Sequence, residues 1–239
     1  MVLIAAAVVA TLWLGFTDRL TLYIHPRYVV FTMVMAVIAL ALAIAATGVR
    51  AEHDHDDERP RRWTAPLRVT AVALCLAVAA ALVILPPATL TIDTASQRDI
   101  NSSSIGAEAQ SLDDVQSAGD DVFAAFTVLD WSSLLRQTAD PAFYDGKSVD
   151  VTGFITPDES DPENVFYVSR FVITCCAVDA QPIGVPVYQP GWSTSLSAGD
   201  WVRVQGGFTA NPSTQSSQSI ALQASAVEGV AEPDEPYLF

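Results

Sequence analysis

Three stretches within the first ninety residues contain no Asp, Glu, Lys, Arg or His: 2–17, 28–49 and 69–87. A helix needs about 17–25 mainly apolar residues to cross the hydrocarbon of a bilayer. The second stretch satisfies this comfortably, the third adequately and the first only just. The pattern predicts three membrane helices over about 2–17, 28–49 and 69–87. The first lacks the basic n-region of a signal peptide and is followed by two further apolar runs, so it is read as a short span. Pro26 precedes the second run and Pro86–Pro87 close the third, where a helix cannot readily continue.

Arginine sets the expected orientation. Arg50, Arg59, Arg61, Arg62 and Arg68 lie between the second and third runs, against only Arg19 and Arg27 between the first and second. Basic loops stay on the cytoplasmic side, so everything after residue 87 is expected outside the cell membrane. Charge divides at the same place. Residues 1–90 carry seven Arg and six Asp/Glu, whereas residues 91–239 carry five cations against 21 carboxylates, a net of −16. A half so acidic repels phosphate backbones, which excludes nucleic acid as a partner. All three histidines precede residue 56, which removes a histidine-assisted nucleophile from the second half. Nothing in the spacing points to an enzyme.

Residues 88–121 are rich in Ser, Ala, Asp, Asn and Gln and read as a flexible tether. Order is expected from residue 122 onward. Asp130 is the expected N-cap of a short helix with Trp131, Leu134 and Leu135 on one face. The apolar period then changes to two. Strands are expected over 148–155, 165–174, 183–188, 201–209 and 219–227, with an acidic turn at 157–163 and one helical turn at 196–200. Val149, Val151 and Phe154 are core candidates. Gly146-Lys-Ser-Val-Asp-Val-Thr-Gly153 and Gly199-Asp-Trp-Val-Arg-Val-Gln-Gly206 place glycines around alternating valines, as sharply bent strands require. Five short strands with a helical turn between the third and fourth predict a small all-β domain, an OB-like five-stranded barrel over 122–239; a five-stranded sandwich is the alternative. The tail 232–239 is expected to be extended.

The chemistry-bearing feature is Cys175–Cys176, within Arg170-Phe-Val-Ile-Thr-Cys-Cys-Ala-Val-Asp-Ala-Gln-Pro182. In a regular strand adjacent side chains point to opposite faces, but at a strand end both sulfurs can turn to one side. Thiolates favour zinc, copper(I) or trivalent arsenic. Cys175, Cys176 and Asp179 make three ligands where a structural zinc site needs four, so a transient or partner-completed metal site is expected. Two other readings stay open: a vicinal disulfide that cycles in a membrane-anchored thiol redox protein or sensor, and a packing role with no ligand. Arg170 could lower a neighbouring thiol's pKa or could be an ordinary strand arginine. Asp179 could be a ligand or a turn cap. His53-Asp-His-Asp-Asp-Glu58 could collect metal weakly; a solvated connector is the simpler reading. Cys75 is read as packing. No ionisable residue falls within the apolar runs, so this chain alone is not expected to form a substrate path.

The cysteine motif follows a Gly-Lys-x-Val-x-Val-x-Gly strand and precedes a Gly-Asp-Trp-Val-x-Val-x-Gly strand, in a chain with apolar runs and a His-bearing loop. This combination resembles the uncharacterised bacterial family described as a subunit of a two-component membrane permease complex. The resemblance covers 128–239 closely and the apolar runs loosely. It implies a multi-span permease partner similar to exporters of organic arsenicals, a lipid bilayer setting and a role in transport. The family's central loop is often rich in histidine, whereas here it holds only His53 and His55. The leading expectation is an accessory permease subunit whose extracytoplasmic domain binds or delivers a soft metal species, zinc or another thiophilic ion, or a small solute. The alternative is the thiol redox protein.

Overall fold

Alternation of apolar and polar residues in the second half produces strands whose inner faces share one core. The computed structural model describes residues 2–52, 89–102 and 120–239, with a few single positions between them. The chain forms two compact units, 1–88 and 89–239.

In the first unit, helix α1 (Val2–Phe16) and helix α2 (Pro26–Glu52) are joined by a 3-10 turn at Arg19–Leu22. They touch closely at Gly15, where a methyl group would stand 2.1 Å from the sulfur of Met33. Leu20 and His25 are buried in the connection. Among the described residues, one helical segment, Pro26–Ala45, is long and apolar enough to cross a membrane. Its apolar side chains are exposed, among them Val30, Phe31, Val34, Val37 and Leu42, as expected of a helix without a polar face. Of the three expected spans, the described residues support one, α2, as long and apolar enough. At 15 residues α1 measures about 22 Å, short of a hydrocarbon core of about 30 Å. The run at 69–87 falls largely outside the described residues, as do His53, His55 and Cys75.

The second unit begins with residues expected to form a tether. Here 89–102 is instead an ordered strap containing a one-turn helix, α3 (Ile92–Ala95). Asn101, at φ 60°, fastens it to the second unit's sheet: its side chain donates to the Gly184 carbonyl and accepts from the Gly184 N–H, both at 2.9 Å. The Asn101 amide thus completes backbone groups on an otherwise open strand edge. Its own N–H also donates to Pro182 O at 3.1 Å.

Helix α4 (Val128–Gln137) starts one turn before the sequence reading. Thr127, not Asp130, is the N-cap. Thr127 accepts from the Asp130 N–H while the Asp130 carboxylate accepts from the Thr127 N–H at 2.8 Å, a reciprocal capping box. Trp131 and Leu134 are fully buried and Leu135 is half-buried. Helix α5 (Pro141–Tyr144) follows, capped by Asp140, and Gly146 turns the chain at φ 74°.

Six strands then form one sheet: β1 (Ser148–Pro157), β2 (Val165–Val172), β3 (Gln181–Tyr188), β4 (Trp201–Ala210), β5 (Ile220–Gly229) and β6 (Tyr237–Leu238). Their order is β1–β4–β5–β3–β2–β6, and β1 also pairs with β2. All pairings are antiparallel except β3–β5 and β2–β6. Two glycines permit the bends. A Cβ on Gly153, where β1 passes from β4 to β2, would lie 2.4 Å from Ser169 O; one on Gly206, at a β-bulge, would lie 2.1 Å from Gln223 O. Val149, Val151, Ile155, Val168, Ile183, Val185 and Val204 fill the interior with Trp131 and Leu134.

One local expectation needs correction. The helical turn expected at 196–200 lies earlier, at Trp192–Thr194, because Gly191 at φ 71° starts it and the Trp192 indole donates to Pro162 O at 3.0 Å. The tail is not merely extended. Its β6 takes the edge of β2 that β1 vacates, and Arg170 holds it by donating to Pro236 O (2.9 Å) and Glu235 O (2.6 Å). The acidic turn buries Asp158 and Asp161. Asp158 accepts from Ser160 N, Asp161 N, Tyr167 Oη and Ser216 Oγ, while Asp161 accepts from Asn164 Nδ2 and Ser213 Oγ. Neutral donors thus satisfy both carboxylates and tie the β1–β2 loop to the β4–β5 loop.

A candidate thiol site at the β2–β3 turn

The β2 ladder ends at Val172. Ile173, fully buried, still donates to Leu238 O at 3.0 Å, and the chain then turns outward. Thr174, Cys175 and Cys176 lead into a 3-10 turn at Ala177–Asp179, and buried Ala180 returns the chain to β3. The pair therefore sits at a strand end, where both side chains can turn to one side. Cys175 is exposed, Cys176 is half-buried, and both are free thiols.

Asp179 shapes this turn. Its Oδ2 accepts the Cys175 N–H at 2.8 Å, and its Oδ1 accepts the Thr174 and Cys176 N–H groups, each at 3.3 Å. In return its own N–H donates to Cys176 O at 2.9 Å. Three successive amides pointing at one carboxylate wrap the backbone around it. The result gathers one potential ligand atom from each of Cys175, Cys176 and Asp179 within 4.8 Å of one another. Among the described residues this is the cluster of metal-binding side chains that meets such a geometry.

The electrostatics favour thiol over thiolate. Desolvation, then the charge and hydrogen bond of the neighbouring Cys176, then the Asp179 carboxylate raise the pKa of Cys175 above its ordinary value. Arg170 supplies no relief. It donates to Thr152 O, Glu235 O and Pro236 O, and its guanidinium lies 5.3 Å from the centre of the Trp201 ring. It is a fastener for the tail. Lys147, just before β1, donates to Phe143 O and lies over the rings of Phe123 and Phe143.

Two contributors were not legible in the sequence. Arg98, from the strap, donates to Val178 O at 3.2 Å and so braces the cysteine turn from outside. Val178 itself is 83% exposed, an apolar tip between the thiols and Asp179. Arg98 lies in a polar stretch without periodicity, about 80 residues from its contact, so no local signal could have joined them.

Taken together, the turn holds an exposed thiol beside a half-buried one in a preformed arrangement, with a carboxylate at its base and, among the described residues, no histidine in the cluster. Such a group can take up a thiophilic ion by losing thiol protons, or form a disulfide by losing two electrons. No curated protein matches the chain. Residues 1–101 match the DUF1980 N-terminal domain and residues 127–239 match the DUF1980 C-terminal domain. The chain carries both domains in order and belongs to that uncharacterised family.

Proposed function

We propose that this protein is a non-catalytic accessory subunit of a membrane permease, and that its β unit binds or delivers a thiophilic ion at Cys175, Cys176 and Asp179. The observation that carries this reading is the gathering of the three side chains within 4.8 Å on an exposed, backbone-defined turn. A structural zinc site would have four protein ligands and be closed. An open, incomplete set suits an ion that arrives and leaves. The apolar α2 supports a membrane setting, and three spans with the β unit outside the cell membrane remain part of the proposal. The ring of pairings from β1 through β4, β5, β3 and β2 back to β1 supports an OB-like barrel as the carrier. The permease partner rests on the family resemblance and on apolar runs that contain no ionisable residue of their own.

The redox reading has less support. A thiol whose pKa is raised is a poor attacking group at neutral pH, and Arg170 is committed elsewhere.

The test is equilibrium binding to the reduced full-length protein in detergent, with silver(I) as the probe. One ion per chain, lost in both C175S and C176S, is the expected result. Binding unaltered by either change would remove the site. Failure of a multi-span membrane protein to co-purify with the chain from its native membranes would remove the permease role.

A further inference from the structure

We infer that Asp179 is a positioning residue and not a ligand, and that the site takes a monovalent, thiophilic ion such as copper(I) or silver(I) on two sulfurs, in preference to zinc. The inference rests on the ion-binding reading above and revises its ligand set, keeping the two sulfurs and removing Asp179. An ionised carboxylate offers about four lone-pair sites on two oxygens. Three of those on Asp179 are taken, by the N–H groups of Thr174, Cys175 and Cys176. The same three bonds hold the backbone curve that brings the sulfurs together. The one remaining site is on Oδ2, and turning it onto an ion would strain the Cys175 bond and loosen the curve that gathers the sulfurs.

The remaining donors fit one kind of ion. Two sulfurs bound to a common ion at about 2.3 Å each can be no more than about 4.6 Å apart. The ligand atoms here already lie within 4.8 Å, so both thiolates can reach one ion with little movement of the turn. Zinc requires four ligands, and among the described residues no further His, Cys, Asp or Glu joins the cluster. Soft thiolates favour copper(I), for which two sulfurs are a complete set. The charge balance agrees. Each thiol gives its proton to water as the ion binds, and two thiolates with one monovalent cation leave a single negative charge. The Asp179 charge remains offset by the three amides.

The test uses the full-length protein, reduced with a non-thiol reductant under anaerobic conditions and loaded with silver(I), copper(I) or zinc(II). X-ray absorption at the metal edge counts the neighbours of the bound ion. Two sulfurs and no oxygen are expected for silver and copper, and an excess of zinc is expected to leave the silver in place. In Asp179→Asn the bound ion is expected to keep two sulfur neighbours but to bind more weakly, while the Cys175 amide, whose acceptor is Oδ2, loses its protection from hydrogen exchange. A purely structural role elsewhere in the domain would leave that amide unchanged. An oxygen neighbour that disappears in Asp179→Asn, or zinc binding as tightly as silver, would overturn this inference and leave the ion-binding function standing. Binding of no ion at all would overturn both.

Discussion

At the scale of single residues, the behaviour of the site follows from the protonation of Cys175. Its thiol is more reluctant to ionise than an ordinary one, through desolvation, Cys176 and Asp179 in that order. Alkylation requires the thiolate. The rate of Cys175 modification by iodoacetamide, followed peptide by peptide, is therefore expected to rise with pH through a midpoint above the ordinary thiol value. Asp179→Asn removes one of the raising charges and should move that midpoint down. The sign for ion binding is the same: below the midpoint a proton must leave Cys175, so affinity climbs up to about tenfold per pH unit for that proton. A midpoint below the ordinary value would mean that a basic group, unseen at this turn, activates the thiol. The sequence did reveal that two cysteines at a strand end could face one way, and that Asp179 could cap the turn. It did not separate cap from ligand, because that distinction depends on where three amides point. Arg98 was beyond reach, since only the folded strap brings it to Val178.

At the scale of elements, the strands were legible because β1 and β4 alternate with a period of two and β2 and β3 are rich in β-branched and aromatic residues. Their ends moved by no more than two residues in the structure. What escaped was pairing that depends on distant partners. β6 is two residues long, and its position is fixed by Arg170 and the vacated edge of β2. The burial of Asp158 and Asp161 was not legible because Ser213 and Ser216, which help satisfy them, lie more than 50 residues away. The valine–glycine strands gave a sharper signal, and Gly153 tests its meaning. In Gly153→Ala the new methyl meets the Ser169 backbone, which cannot swing aside as a flexible side chain could. A loss of about 1–3 kcal/mol in unfolding free energy is expected. Gly207→Ala is the control, since its Cβ would meet only Lys147 O at an ordinary 3.7 Å. Denaturant unfolding of the full chain should separate the two. Equal midpoints would show that the β1 bend does not depend on close backbone approach.

At the scale of the whole molecule, the controlling quantity is the distribution of charge along the chain. The first ninety residues are nearly neutral with their arginines concentrated at 50–68, while the remainder carries a net −16. Arginine-rich segments are retained in the cytosol. If 69–87 then crosses the bilayer, the thiol turn meets the exterior, where an ion can be captured before it reaches a permease or after it leaves one. The β unit gives that placement chemical sense. Cys175 is exposed and Cys176 half-buried, and the unit has no histidine, so little else in it competes for a soft ion. Two measurements in intact cells test the arrangement together. A periplasmic phosphatase fused after Phe239 should be active, and a fluorescent protein fused there should be dark. A membrane-impermeant maleimide should label Cys175 without lysis, and silver(I) added first should block the label. An inactive phosphatase with a bright fluorescent fusion would put the thiols in the cytosol. The permease proposal would then have to run in reverse, with the turn loading an ion from the cytosolic pool.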